Sequence, residues 1–121
     1  METNISNMIK ENDGTVIIYH ALQSKWYGTQ WKLSGNTYDG LEWFDVNSDP
    51  IPSEDEINTE IIRLQAEYDA QEYARNRASA YPSIGDQLDM MYKDTKNSTS
   101  THVDAVEVVK TKWPKDNSGP V

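Results

Sequence analysis

The sequence predicts an α+β protein with a small N-terminal antiparallel sheet, one long helix and a C-terminal helical hairpin. Glycine, asparagine, threonine and aromatic residues dominate before Pro50-Ile51-Pro52, whereas glutamate, alanine, glutamine and arginine dominate after it. Short β-prone runs between turn signals precede this point, and apolar residues at helical spacing follow it. We therefore divide the chain into an aromatic-rich β region at 1–50, a long helix at 51–81, a helical hairpin at 82–114 and a disordered tail at 115–121.

Composition and charge exclude several classes of function. The chain has 121 residues, a net charge of -9 and no cysteine, with a pI near 4.5 and a mean hydropathy of -0.79. Disulfides, thiolate metal sites and thiol catalysis are excluded, and the acidic balance opposes nucleic acid and anionic membrane surfaces. Because no apolar run approaches the ~18 residues of a membrane span and the N-terminus does not resemble a secretory signal, we expect a soluble, non-exported protein.

The N-terminal half contains runs that indicate strands. The turn signal Asp13-Gly14 precedes the β-branched run Thr15–His20, which predicts a strand. Trp31-Lys32-Leu33 leads into a turn signal at Ser34-Gly35-Asn36, and Leu41–Val46 is expected to be a second or third strand. Glycine-containing turns separate these later runs. Aromatic rings are available for the covered face of this sheet: Tyr19, Trp26, Trp31, Trp43 and Phe44. Residues 1–12 are mostly polar and are expected to be mobile until they dock.

The long helix begins at a capping box, Ser53 to Glu56, in which each side chain can pair with the other's backbone N–H. It has roughly 25 residues and ends before Pro82. Its apolar residues recur at spacings of four, three and four, as in a short coiled-coil seam. The seam residues are Ile57, Ile61, Leu64 and Tyr68. Two alternatives stay open: the seam packs on the chain's own sheet, or it pairs with another chain.

The C-terminal hairpin has two predicted helices joined by a polar loop at 93–100. Ser83 and Asp86 indicate the cap of the first helix, and Thr101 with Asp104 indicates the start of the second. A small hydrophobic core is expected between them, formed by Ile84, Leu88, Met91, Val106, Val109 and Trp113. Gly85 indicates either the close approach of a neighbour or simple tolerance in the first turn.

The sequence offers little catalytic chemistry. His20 and His102 are about eighty positions apart in unlike contexts, and no nucleophile pattern accompanies them. Asp86 and Asp89 are close enough to share a helix face, but they lack the histidine companion of helix-borne metal sites. The glycines do not follow a phosphate-binding pattern. We expect no catalytic residue, no metal and no cofactor.

The aromatic stretch from Trp26-Tyr27 to Trp43-Phe44 has three interpretations. The rings are the core of the sheet, or they form a face for a protein partner, or they stack on sugars. Stacking on single-stranded bases is disfavoured, because such grooves combine rings with positive charge.

The segment Ala80–Asp94 contains a distinctive run, Tyr81-Pro82-Ser83-Ile84-Gly85-Asp86-Gln87-Leu88-Asp89. This run resembles a Tyr-Pro-Ser-Ile-x-Asp-Gln-Leu-Asp motif in small tail proteins of tailed bacteriophages, many of them from marine and cyanobacterial viruses. The Trp-rich stretch, the helix start Pro50–Glu56, the run Leu64–Gln71 and the ending Val106–Lys115 are similar to the layout of tail-fibre assembly chaperones. The resemblance covers about residues 40–115.

The resemblance implies a non-enzymatic tail or tail-fibre accessory protein, chiefly an assembly chaperone, in the host cytoplasm during assembly or in the virion. The alternatives are a structural component of the tail, neck or fibre and, from another class, a glycan-binding module or small enzyme. The partner is a tail or tail-fibre protein, with homo-oligomerisation through the long helix as a further alternative. Expected partner-binding residues are Ile57, Ile61, Leu64, Tyr68, Trp31, Trp43 and Phe44. The motif residues Tyr81, Pro82, Ser83, Ile84, Asp86 and Leu88 are expected to form a structural bracket.

Overall fold

A computed structural model describes residues 5–121 and has the predicted α+β architecture. A two-stranded antiparallel sheet lies in the N-terminal half, and a helical hairpin lies at the C-terminus. The elements in chain order are α1 (Ile5–Glu11), α2 (Ile18–Lys25), β1 (Trp31–Leu33), β2 (Leu41–Trp43), α3 (Glu54–Ala70), α4 (Glu72–Ala80), α5 (Ile84–Asn97) and α6 (Thr101–Lys112). The chain divides into two compact units between Asp69 and Ala70.

The two units differ sharply in charge. Residues 1–69 contain thirteen acidic and four basic side chains, whereas residues 70–121 contain seven of each. The whole net charge of -9 therefore belongs to the N-terminal unit, and the C-terminal unit is electrically neutral.

The predicted strand at Thr15–His20 is wrong. Residues 15–17 are extended, but α2 begins at Ile18. The Ile17 N–H donates to Nδ1 of His20 at 2.9 Å, so a histidine caps the helix that begins inside the β-branched run. The predicted mobile segment also differs: α1 occupies residues 5–11 with Ile9 buried, and residues 1–4 lie outside the described residues.

The sheet consists of β1 and β2 paired in antiparallel register, with Trp31 opposite Trp43 and Leu33 opposite Leu41. β2 ends at Trp43, three residues earlier than the predicted end at Val46. A Cβ at Gly40 would overlap the carbonyl oxygen of Ser34. The Ser34 N–H donates to the Gly40 carbonyl at 2.9 Å, so this close approach closes the turn between the strands.

The predicted long helix is present as two helices, α3 and α4, interrupted at Gln71. The capping box is confirmed, since the Glu56 N–H donates to Ser53 Oγ at 3.1 Å and the Ser53 N–H donates to the Glu56 carboxylate at 3.3 Å. Gln71 has φ -95° and ψ 10°, outside regular helical values. The break lies just beyond Tyr68, where the apolar seam ends.

In the hairpin, α5 extends to Asn97, so most of the predicted polar loop is helical. The Asp94 carboxylate closes the short connection by accepting hydrogen bonds from Thr99, Thr101 and the His102 N–H. These donors hold the pKa of Asp94 well below its usual value. α6 begins at Thr101 as predicted and ends before Pro114.

Residues 115–121, which composition predicts to be disordered, make defined contacts within the C-terminal unit. Asn117 Oδ1 accepts from the Tyr73 N–H at 2.8 Å, and the Val121 N–H donates to the Lys112 carbonyl at 2.9 Å. Arg77 links α4 to the end of α6, because its Nε donates a hydrogen bond to the Trp113 carbonyl at 2.7 Å.

Candidate functional site

The seam of α3 lies inside the N-terminal unit. Ile57 packs with Ile18, Ala21 and Leu22 in one buried cluster. Leu64 packs with Ile9 and Val16 in a second cluster. Ile61 contacts both clusters, and Tyr68 contacts the second. Of the two alternatives for the seam, the structure shows packing within the chain. Ile57 and Leu64 are therefore buried core residues, and Ile61 and Tyr68 are half-buried against the same clusters.

The sheet rings are partly core and partly surface. Trp31 and Trp43 are half-buried against the cluster around Leu22. The Trp43 indole N–H donates to the Asp49 carbonyl at 3.0 Å, which fixes the segment after β2. Phe44 remains exposed. Three predicted partner-binding rings therefore differ in availability, and Phe44 is the most accessible of them.

A groove of about 400 Å³ opens beside these rings. The end of α2, the following loop, the start of β1 and the residue after β2 contribute to it. Its lining residues are Gln23, Trp26, Tyr27, Gly28, Thr29, Gln30, Trp31 and Phe44. Two of the predicted partner-binding residues, Trp31 and Phe44, meet here, whereas Trp43 does not line the groove.

Local hydrogen bonds hold the loop that forms the groove. The Thr29 hydroxyl donates to the Trp26 carbonyl at 2.6 Å, and the Phe44 N–H donates to the Gln30 carbonyl. Asn47 pairs with the backbone of Gln30 in both directions, at 2.8 and 2.7 Å. Gly28 allows the turn because its φ is +87°. The groove is thus shaped before any ligand arrives, which lowers the entropy lost on binding.

The lining of the groove is neutral and amphipathic. It combines aromatic rings with the amides of Gln23 and Gln30 and the hydroxyl of Thr29, and no carboxylate, imidazole or ammonium group is among its lining residues. Nζ of Lys25 lies 5.4 Å from the centre of the ring of Trp26, which lines the groove. Pockets of this kind bind neutral apolar–polar surfaces such as an extended peptide or a sugar ring.

Sequence reasoning missed Gln23, Thr29 and Gln30. The signal available was the run Trp26-Tyr27-Gly28-Thr29-Gln30-Trp31, in which small and polar residues separate rings. That run indicated aromatic content, but only the fold brings Phe44 to the same groove.

The start of the α5 motif has the predicted cap, but the apolar side chains further along α5 are not buried as predicted. Tyr81 and Pro82 separate α4 from α5, and Ser83 Oγ accepts from the Asp86 N–H at 3.1 Å, which confirms the cap. The predicted small core is wrong for its α5 members, because Ile84, Leu88 and Met91 are exposed. Val109, one of their expected partners on α6, is buried.

The reason is that α5 meets α6 through another side. Gln87 Oε1 lies 3.0 Å from Nε2 of His102, and the Asp94 carboxylate binds the first turn of α6. These polar contacts set the side that faces α6. No neighbour lies within 4 Å of a Cβ built at Gly85, so of the two alternatives tolerance explains this glycine.

The remaining candidate groups make contacts within the chain. His20 is buried at the start of α2, and His102 contacts Gln87. Asp89 pairs with Lys93 at 3.0 Å. Within residues 5–121, no three histidine, aspartate or glutamate side chains form a group that could hold a metal ion. Across the same residues, no helix is long and apolar enough to cross a membrane.

Comparison of the chain with protein-family models, with curated proteins and with solved structures finds no match in any of the three.

Proposed function

We propose that the protein is a non-enzymatic accessory protein of a phage tail or tail fibre, and that it acts as an assembly chaperone. Its client, a tail or tail-fibre protein, would contribute a neutral, extended segment to the aromatic groove of the N-terminal unit. The observation that carries this proposal is the pre-shaped groove, whose rings and amides can bind a polypeptide without offering a charged catalytic group.

The charge of the N-terminal unit supports the same role. Thirteen acidic side chains against four basic ones keep a bound client soluble through mutual repulsion between complexes. The resemblance of residues 40–115 to tail-fibre assembly chaperones supplies the class of client. On this proposal the protein works in the host cytoplasm during assembly and binds neither nucleic acid nor membrane.

Co-expression with the tail-fibre protein of the same phage tests the proposal. The chaperone should raise the soluble yield of the fibre protein, and the double variant Tyr27→Ala/Phe44→Ala should lose most of this effect. Ile62→Ala is the matched control, because Ile62 is an exposed apolar residue of the same unit outside the groove. An unchanged fibre yield with the wild-type chain contradicts the proposal.

Two alternatives make different predictions. A structural component of the tail, neck or fibre would be present in stoichiometric amounts in purified virions, whereas a chaperone would be absent from them. A glycan-binding module would show quenching or enhancement of tryptophan fluorescence on titration with neutral sugars, because Trp26 and Trp31 line the groove. Saturable binding of a sugar that depends on Tyr27 and Phe44 would replace the chaperone proposal.

A further inference from the structure

The segment that follows α6 folds back on itself as a hook (residues 114–121). The Val121 N–H returns to donate to the Lys112 carbonyl at 2.9 Å. A Cβ at Gly119 would overlap that same carbonyl, so the hook requires glycine at this position. Asn117 has φ +62°, a left-handed conformation that asparagine adopts more readily than most residues. The hook therefore presents the Asn117 side chain from a defined backbone.

The side chain of Asn117 binds the backbone at the break between α3 and α4. Its Oδ1 accepts from the Tyr73 N–H at 2.8 Å, and its Nδ2 donates to the Ala70 carbonyl at 3.4 Å. In an uninterrupted α-helix, the Tyr73 N–H bonds to the Asp69 carbonyl instead. The Ala70 carbonyl likewise accepts from the N–H of Ala74. One side chain thus takes the place of two steps of the helical hydrogen-bond ladder.

The sequence around the break gives no other cause for it. The run Ala-Gln-Glu-Tyr-Ala at residues 70–74 contains neither glycine nor proline, and most of its residues are strong helix formers. A side chain that inserts into the ladder is a known cause of helix interruption. Beside the inserted Asn117, Gln71 has φ -95° and ψ 10°, and the Ala74 N–H donates three positions back, to Gln71. The break is therefore imposed by a residue 44 positions from Tyr73.

Arg77 anchors α4 beside the hook independently of Asn117. It lies four positions after Tyr73 and therefore on the same side of α4. Its guanidinium group donates to the Trp113 carbonyl at 2.7 Å and to the Lys110 carbonyl at 3.3 Å. The same group lies 5.1 Å from the centre of the Tyr73 ring. Loss of the Asn117 side chain alone would thus leave α4 attached to α6.

We propose that the hook is a conformational strap. While Asn117 is docked, α3 and α4 stay separate, and once it leaves, residues 54–80 form one continuous helix. The exchange is close to balanced, because the Tyr73 N–H and the Ala70 carbonyl are hydrogen-bonded in both arrangements. Release also returns conformational entropy to the hook. This inference rests neither on the aromatic groove nor on any client.

Nuclear magnetic resonance of the full chain tests the strap. Asn117→Gly removes the side chain and keeps the positive φ of the hook. In this variant, the Cα shift and the HN–Hα coupling of Gln71 should move to helical values. A coupling through the hydrogen bond should appear between the Tyr73 nitrogen and the Asp69 carbonyl carbon, which the wild type should lack. Lys115→Ala is the matched control, because Lys115 is an exposed residue of the same hook; its spectrum at Gln71 and Tyr73 should stay at wild-type values.

A second variant displaces the hook with Asn117 intact. Gly119→Ala places a methyl group against the Lys112 carbonyl and should move Gln71 to the same helical values. Unchanged Gln71 signals in Asn117→Gly would show that the break does not depend on Asn117, which overturns the proposal. Disordered Gln71 shifts, with amide exchange at Tyr73 at least about tenfold faster than in the wild type, also overturn it. Asn117 would then only cap α4, and its loss would fray the helix rather than extend it.

Discussion

His20 is a buried hydrogen-bonding residue whose charge state is coupled to folding. Its Nδ1 accepts from the Ile17 N–H, its ring also bonds to the backbone of Met8, and only 2% of its surface is exposed. Burial lowers the pKa of His20 below its usual 6.5, against the smaller raising effect of the Met8 hydrogen bond. The imidazole is therefore neutral in the folded chain at neutral pH, and Nδ1 is its acceptor.

This lowered pKa predicts a pH dependence of stability. Below pH 6.5 the unfolded chain binds a proton on His20 before the folded chain does, so stability is full above 6.5 and falls as pH drops towards the folded pKa. We expect urea unfolding to lose at most about 1.4 kcal/mol between pH 6.5 and about 5.5. The His20→Gln variant, although less stable throughout, should lose this slope. An equal slope in wild type and His20→Gln would contradict the assignment.

Glu60 is a buried carboxylate of the N-terminal unit, and Arg63 neutralises it. Arg63 binds both Glu60 oxygens, at 2.6 and 2.9 Å, and extends to Glu67 at 2.7 Å. The hydrogen bonds from Arg63 are the main reason that the pKa of Glu60 is lowered in spite of burial. The pair with Glu67 is exposed, whereas Glu60 is 5% exposed.

Removal of the arginine should therefore cost far more than removal of the exposed partner. We expect Arg63→Met to lower the free energy of unfolding by about 2 kcal/mol, because it leaves the Glu60 carboxylate buried without its cation. Glu67→Gln should change stability by less than about 0.5 kcal/mol. Urea denaturation at neutral pH measures both, and equal effects would show that the Glu60 pair contributes no more than a surface ion pair.

At the level of elements, substitution of two glycines by alanine should have opposite effects on stability. Gly40→Ala should destabilise the β1–β2 turn, since the new methyl group overlaps the Ser34 carbonyl. Gly85→Ala should stabilise α5 by about 0.5–1 kcal/mol, because the position is helical and a Cβ there meets no neighbour. Thermal unfolding of both variants beside the wild type provides the measurement. A stabilising Gly40→Ala would show that the strands can separate at this turn without loss.

The starts of α3 and α5 were predictable from sequence, because their signals are local. The Ser53–Glu56 box and the Ser83 cap both rely on side chains reaching backbone groups within one turn. The β-branched run at residues 15–18 wrongly predicted a strand, because α2 begins inside this run. His20 caps α2 by accepting a hydrogen bond from the Ile17 N–H. No propensity rule includes a histidine accepting that backbone N–H.

It was harder to predict which side of a helix packs against the rest of the chain. The periodicity of Ile84 and Leu88 was correct, yet amphipathic spacing does not tell whether the apolar side meets the same chain. The polar contact of Gln87 with His102 decides the orientation of α5, and it joins residues fifteen positions apart. The α3 seam shows the converse, because its apolar side does pack within the chain.

At the scale of the whole molecule, only part of the candidate site could be predicted from the sequence. Aromatic content predicted a ring-lined surface, and Trp31 and Phe44 do line the groove. Gln23 and Gln30 were missed because the groove combines the end of α2 with the segment after β2. A tertiary contact of this kind produces no periodic pattern in the sequence.

The unequal division of charge also bears on how the protein behaves near its isoelectric point. At pH 4.5, where the net charge vanishes, the N-terminal unit is still negative and the C-terminal unit has become positive, because the excess acids all lie before Ala70. Units of opposite charge on neighbouring molecules then attract each other. We expect turbidity at this pH that dissolves on addition of salt, whereas hydrophobic precipitation would grow with salt. Light scattering across a sodium chloride series would show which of the two occurs.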